Sequence, residues 1–323
     1  MARFSIIVPG LGNTKSFEET LASVLRYRPD NCQVVVVHRE RYDDPYGLGR
    51  EVDFVDAPSS GHSDGLVGMF NAGVKASRGS LVGFLRPGIQ LTERWETPIE
   101  QAFGDSNVAS VTPAIISVDE PNCLVTAGVQ VGDGFSRQLA GVNFRIKSKS
   151  CANLKPLGPT SWAAFYRKSY LVSLDECDET LRASYFDLDL ALSFSALDFD
   201  CPFVPDSRLI CENAKEIWDS AKLPHGCSAQ RAATRFGSLC SSAPAISWKS
   251  SLVRDLFCWP WSWNNLKHQR QRKLAAKFLA ADEHYHQLLQ LLAEQRARIV
   301  APGLHSRVAA QQRTNVVSQR RAA

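Results

Sequence analysis

The chain has 323 residues, 44% of them apolar and 22% charged, which excludes a disordered polymer and leaves room for one large domain or two ordinary ones. No stretch approaches the roughly 20 apolar residues that cross a bilayer, and the start, interrupted at Pro9 and Gly10, is too short for the apolar region of a secretory signal. The nine cysteines are odd in number and form no C-x-x-C pair, so neither a zinc site nor a disulfide framework is expected, and a reducing cytoplasm suits the chain.

Short β-branched runs alternate with amphipathic stretches, the pattern of an α/β domain with a mostly parallel sheet flanked by helices. Residues 4–8 are predicted as the first strand and 16–25 as a helix. Residues 34–37, all valine, are predicted as a strand buried on both faces. Further along, strands are predicted at 52–55, 81–85, 108–116 and 162–166, and helices at 63–76, 95–103 and 188–197. Between 117 and 159, glycines at 128, 132, 134 and 141 break up short strand-like pieces, as in an excursion on the substrate side of a domain. The character changes beyond about residue 213. Tryptophans at 248, 259, 261 and 263 are followed by a predicted helix over 269–299 and a polar, basic end. Residues 248–323 hold 13 Lys and Arg against 4 Asp and Glu, leaving 24 against 29 in the rest of the chain. The division expected is a domain over 1–215 and a C-terminal helical extension, Trp-rich and then basic, over 216–323.

Four segments carry the chemistry. Ser5-Ile6-Ile7-Val8-Pro9 opens the first strand, and Val34-Val35-Val36-Val37-His38-Arg39 ends the second. Asn71-Ala72-Gly73-Val74-Lys75-Ala76-Ser77-Arg78-Gly79 leads through Phe84-Leu85 into Arg86-Pro87-Gly88-Ile89-Gln90-Leu91. The last group is Gly158 to Lys168, Asp178-Glu179-Thr180-Leu181, Tyr185-Phe186-Asp187-Leu188-Asp189-Leu190 and Phe203-Val204-Pro205. In this order and spacing they resemble the family 2 glycosyltransferases of the GT-A, nucleotide-diphospho-sugar transferase-like fold, over roughly residues 3–212.

The resemblance implies an inverting hexosyltransferase of polysaccharide biosynthesis, acting from a nucleotide sugar on a glycan or lipid-linked acceptor. It places Pro9, His38, Arg39, Asn71 and Arg86 at the nucleotide and diphosphate, Trp162 on the acceptor side, and Asp187 and Asp189 at the catalytic helix start. Asp187 is the expected base and Asp189 an orienting or capping residue. Two departures stand out. His38 occupies the position of the carboxylate that contacts the base, and an imidazole accepts through one nitrogen only. Gly88 occupies the position of the Asp that ligates Mn or Mg, so no metal ligand is expected there and Arg86 is the candidate to meet the diphosphate charge.

Simpler readings remain beside these. His38 and Arg39 could be a solvated strand end, Asp187 and Asp189 helix caps, and the whole an inactive GT-A domain that binds a glycan or a partner protein. Gly10-Leu11-Gly12 lacks the third glycine of a dinucleotide loop, and no acidic residue ends the second strand. The tail either closes the domain or docks peripherally on anionic lipid at the inner membrane face, where aromatic and basic residues cooperate. No nucleic-acid module is recognisable.

Overall fold

The computed structural model describes residues 3–11, 14–39, 44, 46–57, 65–132, 135–174, 177–179, 181 and 184–222, together with 228, 229, 232 and 236. The tryptophans from 248 onward and the helix predicted over 269–299 lie outside the described residues.

Strands β1 (Phe4–Pro9), β2 (Gln33–His38), β3 (Asp53–Asp56), β4 (Leu81–Leu85) and β5 (Ile89–Gln90) alternate with helices α1 (Thr14–Tyr27), α2 (Leu66–Ala76) and α3 (Glu96–Ala102). Next come β6 (Ser110–Ser117), β7 (Leu124–Thr126), β8 (Val129–Gly132), β9 (Ser136–Leu139) and α4 (Lys149–Ala152). The chain continues with β10 (Ala163–Arg167), α5 (Lys168–Ser173), α6 (Phe186–Ala196), β11 (Phe203–Cys211) and α7 (Ala214–Ala221). The main sheet has the order β3-β2-β1-β4-β10-β6-β11-β5, with β7 paired to β6. Strands β1 to β4, β6 and β11 run in one direction, and β10 is inserted against them, antiparallel to both β4 and β6.

Both faces of this sheet are buried, and the period-2 alternation of each strand divides its side chains between two cores. Phe4, Ile6 and Val8 of β1, Val34 and Val36 of β2, and Ala163 and Phe165 of β10 face α1, α3 and α7. Ile7, Val35, Val37, Val82, Phe84, Ala164 and Tyr166 face α2, α5 and α6. Helix α2 lies close on the sheet because Gly73 has no side chain: a Cβ there would stand 2.5 Å from Ile7 Cγ2. Helix α6 is buried from Phe186 to Phe194, so its polar residues must find partners inside the protein.

Among the described residues the expected strands and helices are present, most with ends shifted by a few residues. Beyond the expected boundary at 215, Ile217 joins one core, and Ala229, Ala232 and Phe236 are buried in the other. The excursion over 117–159 forms β7, a separate β8–β9 hairpin and α4. Six cysteines are free among the described residues, and burial pushes the Cys32, Cys201 and Cys211 thiols up to about 12, which makes them poor nucleophiles. Among the described residues no helix is long and apolar enough to cross a membrane.

Candidate active site

In an open α/β sheet, ligands gather at the carboxyl ends of the strands where the strand order reverses. Here that point lies between β1 and β4, flanked by Pro9 and Arg86. Pro9 is buried as the last residue of β1, beside Val37 of β2, and the chain leaves it in a tight turn with Leu11 N–H donating to the Pro9 carbonyl at 2.9 Å.

His38 ends β2 next to Asp56 of β3, its Nδ1 3.2 Å from an Asp56 carboxylate oxygen. The imidazole is largely covered, whereas the Asp56 side chain is 91% exposed. A solvent-exposed carboxylate therefore stands one strand away from the position where the sequence has histidine. Arg39 folds its guanidinium over Gly65, filling the space a Cβ would need. Gly65 caps α2 at a φ of 78°, a left-handed backbone that glycine adopts freely.

The Arg86-Pro87-Gly88-Ile89 turn follows β4 and is closed by Ile89 N–H donating to the Arg86 carbonyl at 3.1 Å. Gly88 has a φ of 90°, and a Cβ on it would meet nothing within 4 Å. Its backbone is what excludes other residues, since L side chains rarely adopt that φ. The turn is pinned from three sides: Gly88 N–H reaches Thr20 Oγ1 at 3.0 Å and the Ser16 carbonyl at 3.4 Å, and the Gly88 carbonyl accepts from Glu212 N–H at 3.0 Å. Glu212 also accepts from Gln90 and Ser16, and its neighbourhood raises the Glu19 carboxyl. Among the described residues no three His, Cys, Asp or Glu side chains are grouped as a metal site. Because Gly88 supplies no ligand and its φ resists a side chain, the residues at this turn do not fit a divalent metal.

Arg86 and Trp162, assigned from the sequence to opposite substrates, are in contact. The Arg86 guanidinium carbon lies 3.9 Å from the centre of the Trp162 ring, and Arg86 N–H donates to the Trp162 carbonyl at 2.9 Å. Trp162 is 3% exposed, so its face serves Arg86 rather than an acceptor sugar.

Asn71 does not point to the nucleotide site. It is buried in α2, where its amide nitrogen donates to the Cys177 carbonyl at 2.9 Å and its oxygen accepts from Cys177 N–H at 3.0 Å. Both ends of the amide are spent on holding the 177–179 segment, because a primary amide is complementary to one peptide unit.

Asp187 is fully buried. Arg137 of β9 grips it with two bonds, Nε to Oδ1 at 2.9 Å and Nη2 to Oδ2 at 2.7 Å; Ser161 N–H adds one to Oδ2 at 2.8 Å and Leu188 N–H one to Oδ1 at 2.8 Å. Burial pushes this carboxyl up, but the Arg137 charge and the four hydrogen bonds outweigh it and hold the group below the usual carboxylate range. A carboxylate so engaged is a poor proton acceptor, and in this arrangement it anchors the β8–β9 hairpin and the approach to β10. Asp189, also buried, lies one residue pair further along α6, where its backbone carbonyl accepts from Ser193 Oγ. Phe186, at the start of α6, packs against Phe70 and Phe84.

Arg137 escaped the sequence reading. Its signal is present all the same: Arg137 and Leu139 share one face of β9, and a cation on such a face needs a buried partner.

Sheet order, the reversed strand β10 and the position of the cleft together define a GT-A glycosyltransferase fold. The solved structures that resemble the chain are of that class. The mannosyltransferase PcManGT from Pyrobaculum calidifontis, in complex with GDP-Man and Mn2+, aligns at a TM-score of 0.51 and 14% identity over 94% of this chain and 86% of its own. GalNAc-T7 with UDP, GalNAc and Mn2+ aligns at a TM-score of 0.50 and 12% identity over 88% of this chain. The chain spans 58% of the length of that second structure. No protein-family profile and no curated protein sequence matches it.

Proposed function

We propose that this domain is a family 2-type glycosyltransferase that binds a nucleotide sugar between β1, β2 and β4 and transfers the sugar, with inversion, to a hydroxyl of a glycan or lipid-linked acceptor. Arg86 carries the reading. It is held at the end of β4 by the Trp162 face and backbone, beside a turn that offers no metal ligand. A planar guanidinium with several donors suits diphosphate oxygens, and stacking on an indole orients it in advance. The departing diphosphate then meets fixed positive charge in place of a cation.

Asp56, exposed at the end of β3, supplies the carboxylate for a base N–H that His38 cannot replace. Asp187 acts as the base for the attacking hydroxyl only when Arg137 is drawn away from it. The lipid-linked acceptor and peripheral membrane contact rest on the composition of residues 248–323.

The burial of Asp187 favours a second reading, a domain that holds a sugar nucleotide or glycan without transferring it. Calorimetry with UDP, GDP and their sugar derivatives in the presence of EDTA tests the first step of both readings. Chelator-insensitive binding that Arg86→Ala weakens is expected, and no binding of any nucleotide would remove the donor site. Release of nucleoside diphosphate that rises on adding acceptor hydroxyls separates transfer from mere binding.

A further inference from the structure

Arg137 has more donors than Asp187 uses. Its side chain is wholly buried, yet among the described residues Nη1 has no hydrogen-bond partner, and the Oγ of Ser161, 1% exposed, has none either. The two residues are neighbours through one atom: Arg137 Nη2 and Ser161 N–H both donate to Asp187 Oδ2, at 2.7 and 2.8 Å. Two unsatisfied donors therefore flank one carboxylate at the start of α6. Leaving a buried donor unpaired is costly, and natural interiors rarely tolerate it without a reason. The pair asks for acceptor oxygens. A guanidinium can hold one oxyanion through its Nε edge and another through Nη1, so Arg137 can bridge two.

The surrounding structure permits entry. Among the described residues strand β9, which carries Arg137, pairs with β8 alone, in a hairpin separate from the main sheet. It is tied down at Val129, which bridges to Gly158, at Phe135, whose carbonyl accepts from Tyr185 Oη at 2.8 Å, and just past β9 at Ala140, whose carbonyl accepts from Ala127 N–H at 2.8 Å and Thr126 Oγ1 at 3.2 Å. Moving its Arg137 edge breaks no strand-ladder bond of the nine-stranded sheet.

We propose that Arg137 Nη1 and Ser161 Oγ form a receiving site for an oxyanion, a carboxylate or phosphate borne by the acceptor, which shares the guanidinium with Asp187 and draws its charge away from that carboxylate. The oxyanion site stands on this geometry alone; its role in freeing Asp187 as a base rests on the transferase reading above. Acceptors without an acidic group leave the Arg137 and Asp187 pair closed, so the site selects for acidic ones.

The test is equilibrium binding of inorganic phosphate and of acetate, with glycerol as the neutral control, to the full chain. Four proteins are compared: the unmodified chain, Arg86→Ala, Ser161→Ala, and the neutral pair Arg137→Gln with Asp187→Asn, which avoids leaving one buried charge alone. Phosphate held at Arg86 is the part of the signal that Arg86→Ala removes; the remaining binding of one or both anions is expected to be the same in the unmodified chain and in Arg86→Ala, and which of them gives it identifies the acidic group. Ser161→Ala should weaken binding about tenfold, as loss of one bond to a charged group does, and the neutral pair should abolish it. The inference is overturned if neither anion binds, if binding survives in the neutral pair, if Arg86→Ala alone removes it, or if glycerol binds with the same dependence. Nucleotide titration of the neutral pair reads the donor site separately, so either proposal can fail without the other.

Discussion

The guanidinium of Arg86 lies over Trp162, with its carbon 3.9 Å from the ring centre, and a backbone hydrogen bond of 2.9 Å joins the same two residues. The turn after β4 and the start of β10 are thereby locked together at the mouth of the cleft. Arg86→Ala is expected to lower nucleoside diphosphate affinity about tenfold or more while changing stability by only about 0.5–1 kcal/mol. Arg86→Lys should recover little, because an ammonium neither stacks nor forks. Calorimetry in EDTA beside thermal unfolding checks both, and a larger loss in stability than in affinity would count against a ligand role.

Gly88→Asp restores the residue type of a metal motif but meets the wrong backbone. With a φ of 90° at this position, the cost expected is about 1–2 kcal/mol from strain alone, since the space around a Cβ is open. Gly73→Ala, where the Cβ would meet Ile7, should cost more, about 1–3 kcal/mol from overpacking. Denaturant midpoints of the two variants compare strain with steric clash directly.

Removing Asp187 leaves Arg137 as a buried, unpaired charge, and Asp187→Ala is expected to cost about 3–5 kcal/mol. The pH dependence follows from the lowered carboxyl. The unfolded carboxyl takes up a proton first as the solution is acidified, so the stabilisation is full above about pH 5 and is lost as pH falls through the depressed folded value. Asp187→Asn should flatten the stability profile on the acid side, below about pH 5. Urea titrations across that range decide it, and an unaltered slope would mean that other carboxylates carry the acid sensitivity.

Asn71→Asp keeps size and an acceptor but loses the donor to the Cys177 carbonyl. A stability loss of about 1–3 kcal/mol and faster amide exchange at Cys177 are expected, with nucleotide affinity unchanged. A selective loss of nucleotide binding would return Asn71 to the donor site.

Much of the fold was legible because both faces of the sheet are buried and the strands are short. Four consecutive valines at 34–37 admit no reading but a doubly covered strand, and the alternation through β1, β4 and β10 assigns each side chain to one of two cores. The candidate site was legible as positions along the chain. Arg86 and Gly88 were visible as a turn without a metal carboxylate, and Asp187 as an acidic helix start. Their surroundings were not. Arg137 is separated from Asp187 by 50 residues and the Asn71 amide from Cys177 by 106, and no local pattern announces such partners.

By itself the sequence determined the strands, the helices, the two-sided core and the residues that stand near the cleft, because these depend on periodicity and side-chain volume. Only the tertiary structure decided what those residues can do. It stacks Arg86 on Trp162, spends Asn71 on a backbone, and closes Arg137 over Asp187. The physical reason is that the reactivity of a charged or polar group is set by the partners and burial that distant segments bring to it, and those segments meet only in the folded chain.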